Sequence, residues 1–202
     1  TKAEEAITLK QALKKYLKEV TPSKKGAVQE AYVIGAITRV QIASKSITFI
    51  SGVNIAAMRD QWKNEGLAPA TVVRRLTILS HVFEIACKEW GYIGLINPVK
   101  QIRKPIVANA RDRRLFTGEL EVVLNATSSA DLPNVARLAL ATSMRMSEVV
   151  GLRWKDISTA NSTLTLHTTK NGSPRVVALN PEALSLLSGL VKRIDGKVFN
   201  VL

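Results

Sequence analysis

The chain has 202 residues, 46% of them hydrophobic and 22% charged, a composition that excludes a disordered chain and suits one large or two small globular domains. Twenty-nine Lys and Arg against 16 Asp and Glu give a net charge of +13 and a pI near 10.1, so the expected partner is a polyanion, nucleic acid before a membrane surface. No apolar run approaches the roughly 20 residues that span a bilayer, and TKAEEAITLK has no apolar signal core, which together read as a cytoplasmic protein with no membrane partner.

Thr8 and Gln11 have the spacing of a capping box, and Leu9, Ala12, Leu13, Tyr16, Leu17 and Val20 then recur at helical spacing. Thr21-Pro22 ends that helix. Lys24 and Lys25 follow in a basic turn, exposed ahead of a second helical pattern from Ala27 to Ala43 with Val33, Ala36, Ile37 and Val40 on one side. Ser51-Gly52 opens a third helix carrying Ile55, Met58 and Trp62 and closing at Gly66. Pro69 starts a longer fourth helix whose seam is Val72, Leu76, Leu79, Phe83, Ala86 and Trp90, with Arg74 and Arg75 beside it and Gly91 at its end. Cys87, among Phe83, Ile85 and Ala86, reads as a small buried apolar group. Four amphipathic helices with short connections predict a bundle over residues 1–99.

Residues 100–114 read as a basic linker: Lys100, Arg103, Lys104, Arg111, Arg113 and Arg114 are opposed only by Asp112, and Pro105 breaks any helix. The first 104 residues hold 17 basic and 8 acidic side chains and the remainder 12 and 8, so the excess charge lies mainly in the helical half and the linker. Thr117 is then placed to cap a helix bearing Leu120, Val123 and Leu124, and Leu132 to Ala141 predicts another. The period drops to two from Thr163 to Thr168 and again from Arg175 to Leu179. Between them Asn171-Gly172 is a hairpin signal, with Lys170 at the tip. Pro181 starts a helix through Ala183, Leu184, Leu187 and Leu190, and Val198 to Leu202 reads as strand. The fold class expected is mainly α with a small antiparallel β-sheet: an N-terminal helical bundle and a partial α+β domain over residues 115–202.

The stretch TSMRMSEVVGLRWKD, from Thr142 to Asp156, is unlike the rest. Arg145 and Glu148 sit at the mouth of a short apolar helical run through Val149, Val150, Leu152 and Trp154. An arginine there adds a planar fork of donors matched to phosphate oxygens to the backbone N–H groups of a helix start, and a carboxylate at i+3 can hold it in one rotamer. On spacing alone the same pattern fits an ordinary i,i+3 surface ion pair, which is common and weak.

Taken together, TSMRMSEVVGLRWKDI, the hairpin TKNGSPRVVAL and the helical segments TLKQALKKYL, LAPATVVRRLTILSHVFEIACKEW and NPVKQIRKP resemble the tyrosine recombinases, the phage-type integrases. The resemblance implies an N-terminal core-binding domain and the first part of a catalytic domain, clamped on duplex DNA, with strands cut one at a time through a phosphotyrosine and without metal or nucleotide cofactor. It implies that Arg145 binds the scissile phosphate, that Lys170 protonates the departing 5′ hydroxyl, and that Glu148 supports them. Candidate nucleic-acid-binding residues, to phosphate or to base edges, are Lys24, Lys25, Arg74, Arg75, Lys100, Arg103 and Lys104. Two departures accompany the likeness. Ser143 stands where the family usually has Gly in a turn that uses positive φ. The family's His-x-x-Arg motif and nucleophilic tyrosine do not follow Lys170, since Tyr16, Tyr32 and Tyr92 all lie in the helical half. The expectation is a recombinase cut short in its catalytic domain that binds DNA without cleaving it, monomeric as it stands and tetrameric on DNA when whole. A non-catalytic DNA-binding regulator is the alternative from another class, and a general RNA or polyanion binder a third.

Overall fold

Leu9, Ala12, Leu13 and Tyr16 lie on one face of the first helix, α1 (Leu9–Glu19), and all four are fully buried, the outcome their three-and-four spacing dictates. The computed structural model describes residues 7–108, 113–167 and 173–200. The chain divides into two compact units, Thr1–Arg111 and Asp112–Leu202, each with its own apolar core.

In the first unit α1 is followed by α2 (Ala27–Ile37), α3 (Gly52–Asn64) and α4 (Pro69–Glu89). The capping box forms as expected: the Gln11 N–H donates to Thr8 Oγ1 at 3.2 Å and the Thr8 N–H to Gln11 Oε1 at 2.7 Å. Ile55, Met58 and Trp62 of α3 and Val72, Leu76, Leu79, Phe83 and Ala86 of α4 fill the core, and Gly66 and Gly91 end these helices with φ of 81° and 77°. Burial of each Leu or Phe contributes about 1.5–3 kcal/mol. Two expectations are corrected here. The second helix stops at Ile37 rather than Ala43, because Thr38 Oγ1 and Arg39 Nε both donate to the Gly35 carbonyl, at 2.9 and 3.2 Å, occupying the acceptor of the next helical turn. Two 3₁₀ turns, Gln41–Ser44 and Ile47–Phe49, carry the chain onward. Cys87 is half-buried, not buried.

The chain remains tied to this unit well past residue 99. Val99, in a 3₁₀ turn at Pro98–Gln101, is buried, Ile102 packs on the same core, and Arg59 Nη1 donates to the Arg103 carbonyl at 2.7 Å. Arg111 and Asp112 of the expected linker lie outside the described residues.

The second unit runs α5 (Glu119–Asn125), α6 (Leu132–Thr142), α7 (Met146–Val150), β1 (Ile157–Ser158), β2 (Thr163–Leu166), β3 (Arg175–Ala178) and α8 (Pro181–Ser188). Thr117 does not cap α5. Gly118 is its N-cap with φ of 82°, and the Glu119 carboxylate accepts the Phe116 N–H at 3.1 Å. The sheet is antiparallel in the order β1-β2-β3, with Leu164 opposite Val177 and Leu166 opposite Arg175. Leu164 and Leu166 face a core shared with Val135 and Leu138 of α6, Val149 of α7 and Leu187 of α8. Val198 and Phe199 close this core. The Val198 N–H donates to the Leu152 carbonyl at 3.0 Å, but residues 198–200 of the expected terminal strand form no strand, an isolated bridge of Arg153 with Lys197 precedes them, and Val201 and Leu202 lie outside the described residues. Among the described residues no helix is long and apolar enough to cross a membrane.

Candidate active site and nucleic-acid interface

Ser143 ends α6 in the left-handed region, at φ 53° and ψ 25°, the positive-φ turn expected at that position. A residue with a Cβ holds such a conformation at a cost of about 1 kcal/mol relative to glycine. The reversal directs Met144 into the core, 5% exposed, and brings Arg145 out at the head of α7 with its side chain half-exposed. The helix that follows has only five residues, shorter than the apolar run through Trp154 suggested, because two β-branched valines are followed by Gly151 at its C-cap. So short a helix has little dipole, and the capacity of Arg145 to bind an anion rests on its guanidinium.

Glu148 is the organising group. Its side chain is 5% exposed, yet its carboxylate is fully partnered: Oε1 accepts from Arg145 Nη1 at 3.0 Å, and Oε2 accepts from the Arg145 backbone N–H at 2.9 Å and from Arg175 Nη2 at 2.9 Å. The Arg145 N–H, foremost, with the Arg145 and Arg175 guanidiniums, holds the carboxyl below the usual glutamate range, while burial opposes this. An ordinary surface ion pair is therefore not what forms: the acid is buried, charged and shared between two arginines.

Arg175 is the residue the motif reading missed. It faces Leu166 across the ladder and shares the core-facing side of β3 with Val177, in phase with buried Leu179, while Val176 points outward, 64% exposed. A charged side chain on the inward phase of a strand requires a buried counter-charge, and that phase is readable in RVVAL. Lys170 and the Asn171-Gly172 turn lie outside the described residues; the strands flanking them, β2 and β3, pair directly at Leu166 and Arg175.

The expected DNA contacts fall into two groups, all on the first unit. Lys25, Arg74, Lys100, Arg103 and Lys104 are exposed, and Lys24 and Arg75 half-buried. Three of the seven have partners that bear on DNA binding. Lys24 is not a solvated turn residue: its ammonium pairs with Glu30 at 2.7 Å and donates to the Tyr16 hydroxyl at 2.5 Å, which in turn contacts His81 Nδ1. Burial raises the Tyr16 hydroxyl above the ordinary tyrosine value. Lys100 pairs with Glu84 at 2.8 Å, and Arg75 stacks on the Trp62 ring at 5.0 Å. Lys24 and Lys104 line one cavity with Glu30 and Glu84, a mixed rather than a purely basic surface. Of the other tyrosines, Tyr92 accepts the Ile7 N–H at 3.2 Å and Tyr32 is 76% exposed on α2. His167 lies 3.3 Å from Asp156 and is mostly exposed. Among the described residues no group of three or more His, Cys, Asp or Glu side chains is placed to hold a metal ion.

Residues 114–198 match the phage integrase family. The chain is 36% identical over 203 residues to the shufflon-specific DNA recombinase of Escherichia coli, covering 96% of this chain and 53% of that protein. It spans between half and two-thirds of the length of the curated relatives it matches over nearly its whole length. Its fold is similar to that of the Tn1549 transposon integrase in complex with a circular intermediate DNA, with a TM-score of 0.76 at 16% identity over 96% of this chain and 71% of that one. A lambda integrase dimer bound to a COC′ core site gives a TM-score of 0.71 at 26% identity, over 90% of this chain and 53% of that one.

Proposed function

We propose that the chain, whose residues 114–198 match the phage integrase family, is part of a tyrosine recombinase that binds duplex DNA and presents one phosphodiester to Arg145, in site-specific strand breakage and rejoining. The observation that carries this reading is Arg145 held, half-exposed, on the buried carboxylate of Glu148. A guanidinium fixed before the phosphate arrives loses little freedom on binding, and its charge stabilises the pentacoordinate transition state more than the ground state. In this reading Lys170 on the hairpin is the general acid for the departing 5′ hydroxyl, a role an ammonium fills because it can give up its proton. Glu148 does not react; it holds Arg145 in place.

Both units contribute cations to the duplex in this proposal, with Lys25, Arg74, Arg103 and Lys104 among the exposed candidates on the first. The relatives whose structures are similar were captured on DNA, as the Tn1549 and lambda integrases. A phosphotyrosine needs a nucleophile that none of Tyr16, Tyr32 and Tyr92 supplies, since all three lie in the helical unit and Tyr16 is fully buried. These 202 residues therefore bind without cleaving, and cleavage belongs to a protein that also carries the nucleophile.

The test is fluorescence anisotropy with labelled duplex and single strands of equal length, together with a nicked duplex that would trap a covalent adduct. The expected result is preference for duplex, roughly tenfold weaker binding by Arg145→Gln, the loss of one charge-assisted contact, and no covalent adduct. Equal affinity for single strands, or an unchanged affinity in Arg145→Gln, would overturn the reading.

A further inference from the structure

Glu148 accepts from two arginines that lie 30 residues apart in the chain, and only one of them belongs to the motif that drew attention to the site. We propose that Arg175 is a positioning residue for Arg145, acting through the shared carboxylate. This rests on the reading of Arg145 as the phosphate-binding group.

The geometry makes the case from three sides. Arg175 begins β3 on its core-facing side, so the pleat of the sheet turns it toward α7, where it reaches Glu148 with its side chain 40% exposed. Its Nη2 donates to Glu148 Oε2, the oxygen that also receives the Arg145 backbone N–H, while Oε1 is left to the Arg145 guanidinium. The carboxylate is thus pinned on one oxygen and offers the other in a fixed direction. Removing Arg175 would leave Oε2 with the backbone N–H alone, and a carboxylate so loosely held would permit the Arg145 side chain more than one rotamer.

The same contact has a second consequence. Arg175 is the first residue of the strand that returns from the Lys170 hairpin, and its ion pair with Glu148 ties the root of that hairpin to the turn bearing Arg145. The two elements expected to act on one phosphate are joined by a single buried acid.

The experiment uses the chain as it stands, with Arg175→Gln, Arg175→Lys, Arg145→Gln and the Arg145→Gln/Arg175→Gln double variant. Two quantities are read: duplex affinity, and the ¹⁵Nε resonance of Arg145 in the free protein, with thermal midpoints recorded for folding. Positioning predicts that Arg175→Gln weakens duplex binding about fivefold to tenfold, that Arg175→Lys recovers most of this, and that the double variant binds no more weakly than Arg145→Gln alone. It also predicts that the Arg145 resonance moves to the position of a solvent-averaged arginine in Arg175→Gln. An unmoved resonance, or additive losses in the double variant, would overturn it, the latter by making Arg175 an independent anion contact. Should Arg175→Gln unfold the second unit, the Arg175→Lys resonance decides: a shifted, averaged signal there contradicts a role that any cation on Glu148 fulfils. Failure of the underlying reading is separate, since it would show as normal duplex affinity in Arg145→Gln.

Discussion

At the scale of single residues, Glu148 has the most distinctive chemistry in the second unit: a carboxylate 5% exposed that accepts one backbone and two guanidinium donors. Because its folded-state pKa is depressed, it contributes stability at pH above its unfolded value of about 4.3, and that contribution is lost as pH falls through the folded value. Glu148→Gln should therefore be less stable at neutral pH, by about 1–3 kcal/mol for the buried donors left poorly matched, and should lose less stability than the wild type between pH 5 and 3. Thermal midpoints across that range measure this; parallel profiles for the two proteins would contradict it. The Arg145 and Glu148 pair was legible as a pair from its spacing, but its environment was not. Burial of Glu148 and the arrival of Arg175 depend on a strand 27 residues away, which periodicity reveals only when a basic residue is noticed on the inward phase. Lys24 misleads in the opposite direction, since a basic turn between helices gives no hint that Glu30 and Tyr16 enclose it.

Among the elements, those legible in the sequence each bury an unbroken stripe of their own and end at a strong stop. α1 begins at its capping box, while α3 and α4 end before Gly66 and Gly91, and their seams are the core. The elements that escaped are fixed by their neighbours. α2 ends where side chains capture the Gly35 carbonyl, and β1 is two residues that pair only because β2 is present to receive them. α7 is short for a local reason, and the turn before it stores strain at Ser143, whose φ is 53°. Ser143→Gly should relieve that strain and stabilise the second unit by about 0.5–1 kcal/mol, a rise of a few degrees in its thermal midpoint. A fall in the midpoint would mean that the serine side chain contributes more than its backbone costs.

For the whole molecule, the net charge of +13 is the observation from which a polyanionic partner follows, and the structure refines how that charge is spent. Glu30 and Glu84 neutralise Lys24 and Lys100 within the helical unit, so fewer cations are available to phosphates than the sequence count suggests. In the second unit Arg145 and Arg175 share an acid that cancels one of them, while Arg114, Lys155, Lys192 and Lys197 are exposed cations elsewhere on its surface. The salt dependence of duplex binding counts the phosphates actually neutralised, at about 0.9 per phosphate in the slope of log affinity against log salt. The most direct measurement is that slope for the wild type beside Arg145→Gln on the same duplex. The expected result is a steep wild-type slope and one shallower by about 0.9 in the variant, a single phosphate released. Superimposable lines of equal slope and affinity would contradict the assignment of Arg145 to a phosphodiester.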